Sequence, residues 1–166
     1  TAHNKDDNAE TLLYRIIKGT GLVGLKGISK NRGAFYRPLL TTSRAEIVEY
    51  CDLNNLNPNN DSSNQDTKYR RNFLRLNVFP ILEKINPVIK DSLNNLAEVA
   101  KSEDAIVAEY LSTIRPSLYS EDKLLSPVFK TLSRPVKMRF IYEYIQTFDL
   151  DYDFKNVSTF NVKFNT

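Results

Sequence analysis

The sequence predicts an α/β part followed by an all-α part, with a boundary near residue 80. Residues 1–53 follow the order helix, glycine-rich loop, short strand, helix, whereas residues 81–148 carry almost only helical patterns. Charge divides in a similar way, since residues 1–90 hold 14 basic and 9 acidic side chains and residues 91–166 hold 9 and 11. We therefore predict two domains, residues 1–80 and 81–166, and expect anionic ligands to meet the first.

Composition excludes several classes of protein. The 166 residues are 41% apolar and 26% charged, and no run approaches the roughly 18 apolar residues that a membrane span needs, so we expect no membrane contact. A single cysteine, Cys51, and a single histidine, His3, cannot supply a disulfide or a zinc or iron–sulfur ligand set. The chain starts with Thr and shows no leader, and we expect it to be a piece of something longer.

The first helix is predicted over residues 8–18. Asp7 and Glu10 have the spacing of a helix cap, and Gly19 suits the other end. The apolar positions at helical intervals are Ala9, Leu12, Leu13, Ile16 and Ile17.

The polar side of this helix is a candidate ligand site. It is formed by Asp7, Glu10, Thr11, Tyr14 and Lys18. Close carboxylates can chelate Mg²⁺ together with substrate phosphates. The alternative is that Asp6 and Asp7 only cap the helix, with Glu10 completing the box.

Residues 19–27 contain four of the five glycines and fit a helix cap and turn better than a phosphate loop, because neither phosphate-binding glycine motif is present. Residues 35–40 predict a short strand ended by Pro38. Ser43 and Glu46 form a capping box that opens a helix to about Leu53.

Residues 54–67 are a turn-rich connection, and a helix follows over residues 69–82. We expect its apolar face to point inward; that face carries Tyr69, Phe73 and Leu76. The opposite stripe holds Lys68, Arg71 and Arg75, beside Arg70 and Asn72. Such a stripe suits nucleic-acid phosphates, and the alternative is a solvated helix face.

Beyond the boundary, Pro87 suits the first turn of a long helix. Its apolar residues alternate in steps of 4 and 3: Ile89, Leu93, Leu96, Ala100, Val107, Tyr110 and Ile114, with Glu103 at the polar step. A last helix is predicted over residues 134–148, with Val136, Phe140, Ile141, Tyr144, Ile145 and Phe148 inward. Residues 160–164 alternate like a strand.

The order of these segments resembles the tRNA(Ile)-lysidine synthetase family of the N-type ATP pyrophosphatase (PP-loop) superfamily. The motifs that carry the resemblance are His3-x-x-Asp6-Asp7-x-x-Glu10-Thr11, Lys18-Gly19-Thr20-Gly21 with Gly24-Leu25-x-Gly27, Arg37-Pro38-Leu39-Leu40, Ser43-Arg44-x-Glu46-Ile47, and Asp61-x-Ser63-Asn64-x-Asp66-x-x-Tyr69-x-Arg71-Asn72-x-x-Arg75. They span about residues 1–80, and the likeness beyond residue 82 is loose.

The resemblance implies part of an adenine-nucleotide alpha-hydrolase-like (PP-loop ATPase) domain and a helical domain that recognises tRNA. It implies an ATP-dependent ligase that joins free lysine to the C2 of the wobble cytidine in a CAU-anticodon tRNA(Ile). ATP first activates the C2 oxygen as an adenylate, and the lysine ε-amine then displaces AMP. The resemblance places such an enzyme in the cytoplasm and makes a homodimer a candidate assembly.

Site residues follow from the same match. The catalytic set is Asp6, Asp7, Glu10, Arg71 and Arg75, the nucleotide-binding set is His3, Arg15 and Lys18, and the tRNA-binding set is Lys68, Arg70 and Asn72. Asp6 and Asp7 are also the implied Mg²⁺ ligands.

The sequence departs from the family at three places. The S-G-G-x-D-S loop that cradles pyrophosphate does not occur among the 166 residues, so we expect this polypeptide alone to hold ATP poorly and to be inactive. Lys18 stands where the family commonly has Arg, and Phe73 where a basic residue is common.

Two other readings stay open. A PP-loop tRNA thiolation enzyme would share the first motif, although the single Cys51 argues against cysteine-based sulfur chemistry. A non-catalytic helical RNA-binding module would use the basic stripe without the carboxylates.

Overall fold

The computed structural model describes residues 1–58, 66–120, 123–124 and 126–146. The chain forms two compact units, Thr1–Asp104 and Ala105–Thr166. The described residues are mostly helical, with two antiparallel two-stranded ladders. The predicted domain boundary near residue 80 stays a prediction.

The first unit begins with a helix, a glycine-rich turn and a small hairpin. Its elements are α1 (Lys5–Lys18), α2 (Leu22–Leu25), β1 (Asn31–Arg32), β2 (Phe35–Tyr36), a 3-10 helix (Pro38–Thr41), α3 (Arg44–Leu53), α4 (Arg70–Phe73), a π-helical segment (Leu74–Val78), α5 (Phe79–Ile85) and the start of α6 (Ile89–Leu118). The capping box predicted for α3 is confirmed, since Ser43 and Glu46 bond each other's backbone N–H groups.

The strand predicted over residues 35–40 is shorter than expected. Only Phe35–Tyr36 is extended, paired with Asn31–Arg32 across a tight turn that contains Gly33. Pro38 starts a 3-10 helix instead of only ending a strand, because its fixed φ suits a first helical turn.

The core of the first unit lies between α1, α5 and α6. Its buried members are Ala9, Leu12, Phe79, Leu93 and Ala97. The inward face predicted for residues 69–82 is wrong: the side chains of Tyr69, Phe73 and Leu76 are 62%, 49% and 37% exposed. Leu74 and Phe79 are buried instead, because the opposite side of this segment packs toward α1.

The helix α6 has the predicted alternation of 4 and 3 but a different register. Leu93 and Ala100 are buried as predicted, whereas Leu96 and Tyr110 are 40% and 51% exposed. Three other positions are buried, each one residue after a predicted one: Ala97 after Leu96, Asp104 after Glu103 and Leu111 after Tyr110. The polar step is therefore Asp104, and its carboxylate forms an ion pair with Lys26 at 2.6 Å.

The second unit contains the rest of α6, the ladder of β3 (Tyr119–Ser120) and β4 (Lys123–Leu124), and the helices α7 (Ser126–Thr131) and α8 (Arg134–Gln146). Its buried cluster is Leu118, Phe129, Phe140 and Ile141. The predicted inward position of Tyr144 is wrong, since this side chain is 52% exposed. Phe148 and the strand predicted over residues 160–164 lie outside the described residues.

No helix among the described residues is long and apolar enough to cross a membrane.

Candidate active site

The helix that carries the predicted carboxylates starts earlier than the sequence indicated. Asn4 is the N-cap: its side chain accepts the Asp7 N–H at 2.9 Å, and the Asp7 carboxylate accepts the Asn4 N–H at 3.0 Å. The capping box is therefore Asn4 with Asp7, and the predicted cap of Asp7 with Glu10 is wrong. Because Glu10 is not used at the cap, its carboxylate is available to a tertiary partner.

That partner is Arg75. Glu10 is 1% exposed, and its two carboxylate oxygens accept hydrogen bonds from Nε and Nη2 of Arg75 at 2.6 and 2.9 Å. The same Nη2 lies 3.3 Å from Oδ1 of Asp7. The hydrogen bonds that Arg75 donates to Glu10 raise the pKa of Arg75, so this side chain is always charged. A buried carboxylate that accepts hydrogen bonds from two nitrogens of one guanidinium has a fixed geometry, and taking both charges out of water costs free energy.

The contacts continue along the polar face of α1 in antiparallel order. Arg71 donates to the Thr11 hydroxyl at 2.9 Å, and Arg70 donates to the Tyr14 hydroxyl at 2.9 Å. Lys18 lies over the Tyr14 ring, 4.9 Å from its centroid. Hydrogen bonds from Lys18 and then Arg70 lower the pKa of Tyr14. The basic stripe and the polar face of α1 thus form one cluster of contacts, called here the cluster on α1. Neither the helical pattern of α1 nor that of residues 69–82 indicates it alone.

Asp6 has other partners. Its Oδ2 accepts the backbone N–H of Arg44 at 2.7 Å, at the N-terminus of α3, and its Oδ1 lies 3.2 Å from Nζ of Lys90. Lys90 also contacts Glu83 at 3.0 Å. Burial acts to lower the pKa of Lys90, but the hydrogen bonds to Glu83 and Asp6 outweigh it, and the pKa is raised. The sequence does not identify Lys90, because no local pattern indicates a contact with Asp6, which lies 84 positions earlier in the chain.

The residues present do not fit Mg²⁺ by themselves. All four carboxylate oxygens of Asp6 and Asp7 already face an N–H group or a cation. No group of three or more His, Cys, Asp or Glu side chains in the described part of the chain could hold a metal ion. The cations Arg75 and Lys90 beside these carboxylates disfavour a second positive charge.

The glycine stretch forms a turn that Arg15 ties to α1. Gly19 ends α1 with a φ of 80°, as predicted for a cap, and its N–H donates to the Ile16 carbonyl. Arg15 Nη1 donates to the carbonyls of Gly24 and Gly27, both at 2.8 Å. The guanidinium predicted to meet the nucleotide is therefore engaged with backbone oxygens, and burial lowers its pKa.

Asn8 holds the end of the same turn and Asn94 holds Asn8; neither was identified from the sequence. Asn8 Oδ1 accepts the Ile28 N–H at 2.6 Å, and its Nδ2 donates to Asn94 Oδ1 at 2.8 Å. Asn94 in turn donates to the Lys5 carbonyl at 3.2 Å. No sequence signal separates these two asparagines from others in predicted helices, such as Asn72 and Asn95.

The remaining predicted residues lie outside this cluster's contacts. His3 is half-buried and hydrogen-bonded to the Thr1 hydroxyl at 3.1 Å. Lys68 is exposed, and Asn72 donates to the Asp66 carbonyl at 2.9 Å. The structure thus joins Asp7, Glu10, Arg71 and Arg75 and leaves Asp6 in a neighbouring ion pair.

A wide groove of about 670 Å³ opens beside Asp6 and Lys90. Its other lining residues belong to α3, among them Val48, Glu49 and Asp52. Three carboxylates and two cations line it, and two of these charges, Asp6 and Lys90, are paired with each other.

Comparison with known proteins gives consistent matches. The family model described as the PP-loop domain matches residues 1–82. A protein of Clostridium perfringens named tRNA(Ile)-lysidine synthase is 44% identical over 119 residues, which are 70% of this chain and 25% of that protein. Proteins with the same name from Francisella tularensis subsp. novicida and Parabacteroides distasonis are 39% and 35% identical, over 74% and 89% of this chain and 32% and 33% of their own lengths. The chain spans about a quarter to a third of the curated relatives it matches.

Proposed function

Because this chain belongs to the PP-loop family, with tRNA(Ile)-lysidine synthases as its relatives, we propose that it is part of an ATP-dependent ligase that attaches free lysine to tRNA(Ile). The observation that carries the proposal is the similarity over most of the chain to proteins of that name. The arginine and carboxylate cluster on α1 supports it, because a transferring adenylyl group needs cations and an attacking amine needs a base.

The proposed reaction has two steps. The C2 oxygen of the wobble cytidine attacks the α-phosphorus of ATP, and pyrophosphate leaves. The ε-amine of lysine then attacks C2, the C2–O bond breaks, and AMP departs with that oxygen. The attacking nitrogen loses a proton, which a carboxylate of the cluster accepts.

Asp7 is the carboxylate that we assign to this proton. Its side chain is 20% exposed; Oδ1 lies near Arg75 and Oδ2 accepts the neutral Asn4 N–H, whereas both oxygens of Glu10 are bound to Arg75 and that side chain is 1% exposed. We therefore propose that Glu10 fixes Arg75, and that Arg71 and Arg75 balance the phosphate charge. His3 and Lys18 remain candidates for the nucleotide, while Lys68, Arg70 and Asn72 remain candidates for tRNA.

Several finer points stay predictions. These are the Mg²⁺ requirement, the preference for the CAU anticodon, a cytoplasmic location and a homodimer. Omitting Mg²⁺ from a lysine-transfer assay, exchanging the tRNA, and measuring mass by light scattering test three of them directly.

The function is tested by transfer of labelled lysine to CAU-anticodon tRNA(Ile), with and without ATP, using the natural protein. We expect ATP-dependent labelling that falls at least about 100-fold with Asp7→Asn, in keeping with the size of general-base catalysis. Glu98→Gln is the matched control, because that carboxylate is 70% exposed and pairs only with Lys101 in the described contacts. Labelling that is absent, or unchanged with Asp7→Asn, contradicts the function or the assignment respectively.

A further inference from the structure

The start of α6 holds the first turn of α1, the end of that helix that carries the carboxylates. Nζ of Lys90 lies 3.2 Å from Oδ1 of Asp6, and Oδ1 of Asp91 lies 2.6 Å from Nζ of Lys5. One turn further along α6, Nδ2 of Asn94 donates to the Lys5 carbonyl at 3.2 Å. The two helices are therefore joined by side-chain and backbone contacts at several neighbouring positions.

A chain of side-chain amides adds to these contacts. Asn8 is 4% exposed, and its Oδ1 accepts the Ile28 N–H at 2.6 Å. Because a backbone N–H can only donate, this contact orients the Asn8 amide, and its Nδ2 donates to Oδ1 of Asn94 at 2.8 Å. Nδ2 of Asn94 then meets two carbonyl oxygens, that of Lys5 and, at 2.7 Å, that of Lys90. The chain begins and ends on backbone groups, so the direction of each amide is fixed.

Asn8 lies on a different side of α1 from the candidate catalytic carboxylates. Successive residues of a helix are separated by about 100°, so Asn8 is about 100° from Asp7 and about 160° from Glu10 around the axis. Asp7 and Glu10 contact Arg75, whereas Asn8 contacts Asn94. A helix that is held on two sides cannot easily turn about its axis. Asn94 thus contributes to the direction in which both carboxylates point.

A small rotation of α1 would matter for catalysis. Side-chain tips lie about 5 to 6 Å from a helix axis, so a rotation of roughly 10° moves them by about 1 Å. A displacement of about 1 Å at a reacting group can lower a rate about 100-fold. Without Asn94, the buried Nδ2 of Asn8 would lose its acceptor, which is unfavourable, and α1 would be free to shift toward another partner.

Resting on the proposed function, we propose that Asn94 is a positioning residue for lysine transfer. It acts through Asn8 and holds the Asp7 carboxylate where the attacking amine loses its proton. Asn94 itself touches neither the amine nor the nucleotide in this assignment. It also lies beyond residues 1–82, the part of the chain that the PP-loop family model matches. The reaction would therefore depend on a side chain outside that domain match.

The test compares single-turnover transfer of labelled lysine to CAU-anticodon tRNA(Ile) by the natural protein and by variants of α6. Asn94→Leu keeps the size of the side chain and removes the acceptor, and we expect the rate constant to fall by roughly 10- to 100-fold. Asn94→Asp keeps the shape and the acceptor for Asn8, so its rate should lie closer to the wild type than to Asn94→Leu. Asn95→Leu is the matched control, because Asn95 is the next residue of α6 and is exposed, and it should transfer lysine like the wild type.

A pH series separates the positioning of a base from a general loss of structure. Free lysine has a mostly protonated ε-amine at neutral pH, so raising the pH supplies more free amine and more hydroxide to accept its proton. We expect the wild type to exceed Asn94→Leu by a smaller factor at high pH than at neutral pH. A variant that is only partly folded would not recover in this way, and circular dichroism at each pH establishes the folded fraction.

Each outcome decides between the two proposals. Should Asn94→Leu not fold, Asn94→Ala takes its place, because alanine favours the helix and also removes the acceptor. Lysine transfer by the wild type with equal rates for Asn94→Leu and Asn95→Leu would overturn the positioning role while the proposed function stands. A deficit of Asn94→Leu that is constant with pH would do the same. Absence of transfer by the wild type would overturn the proposed function and this inference with it.

Discussion

At the scale of single residues, the candidate site depends on one buried carboxylate. Glu10 looks like an ordinary member of a helix cap in the sequence, but it is 1% exposed and bound through both oxygens to Arg75. Removing one member of such a pair leaves a charge in a poorly solvated place, which costs far more than the pair itself contributes.

We therefore predict that Glu10→Gln lowers the free energy of unfolding by about 3 kcal/mol, as measured by urea denaturation. Glu98→Gln should change it by less than about 0.5 kcal/mol, because the Glu98–Lys101 pair is exposed. Equal effects of the two substitutions would show that Glu10 is not a buried partner of Arg75.

Gly27 is a second position where a single added atom should change stability. It has a φ of 69°, and an added Cβ would collide with the Asn8 amide oxygen that accepts the Ile28 N–H. We predict that Gly27→Ala destabilises the chain by about 2 kcal/mol. Gly21→Ala, where φ is negative and no atom lies within 4 Å, should be close to neutral when the melting temperatures of the two variants are compared with that of the wild type.

At the scale of elements, residues 70–85 are helical, as predicted for most of that segment, but the predicted inward face is wrong. Residues 69–82 carry two stripes, and the helical spacing of Tyr69, Phe73 and Leu76 predicts that their stripe is the inward one. The other side is buried instead: Phe79 packs in the apolar cluster with Ala9 and Leu12, and Arg71 and Arg75 find acceptors on α1. A single helix pattern cannot say whether a basic stripe meets water or a complementary polar face.

The register of α6 allows a direct test of which acidic side chain faces inward. Asp104 is buried and paired with Lys26, whereas its neighbour Glu103, which the sequence pattern places at the polar step, is exposed. We predict that Asp104→Asn destabilises the chain by about 1 to 2 kcal/mol and that Glu103→Gln has an effect below about 0.5 kcal/mol. Denaturant titration of both variants checks it, and the reverse order would restore the sequence-derived register.

The capping box of α3 should make this helix sensitive to acid. The Ser43 side-chain and backbone donors lower the pKa of Glu46 from 4.5. Because the folded pKa is the lower one, the box stabilises fully above about pH 4.5 and the contribution is lost as the pH falls through the folded value. We predict that Glu46→Gln flattens the pH dependence of stability in that range, and an unchanged profile would contradict the contribution of the box.

At the scale of the whole molecule, we propose that the cluster of Asp7, Glu10, Arg71 and Arg75 forms one part of a nucleotide site. The S-G-G-x-D-S sequence does not occur among the 166 residues. We predict that the isolated chain shows no ATP binding tighter than about 1 mM by calorimetry, because the backbone donors that would cradle the pyrophosphate are not among its residues. Micromolar binding would show that the cluster on α1 holds the nucleotide unaided.

What the sequence determined by itself was local. The helix of residues 44–53 with its Ser43 cap, the period of α6 and the cap at Gly19 follow from short spacings, since caps and periodicity depend on neighbouring residues. The family resemblance follows from the order of several such segments along residues 1–80. Only the tertiary structure decided the pairing of Glu10 with Arg75, of Asp6 with Lys90 and of Asp104 with Lys26. These contacts join residues more than 60 positions apart, and whether a charged side chain meets water or a partner depends on which faces the packing brings together.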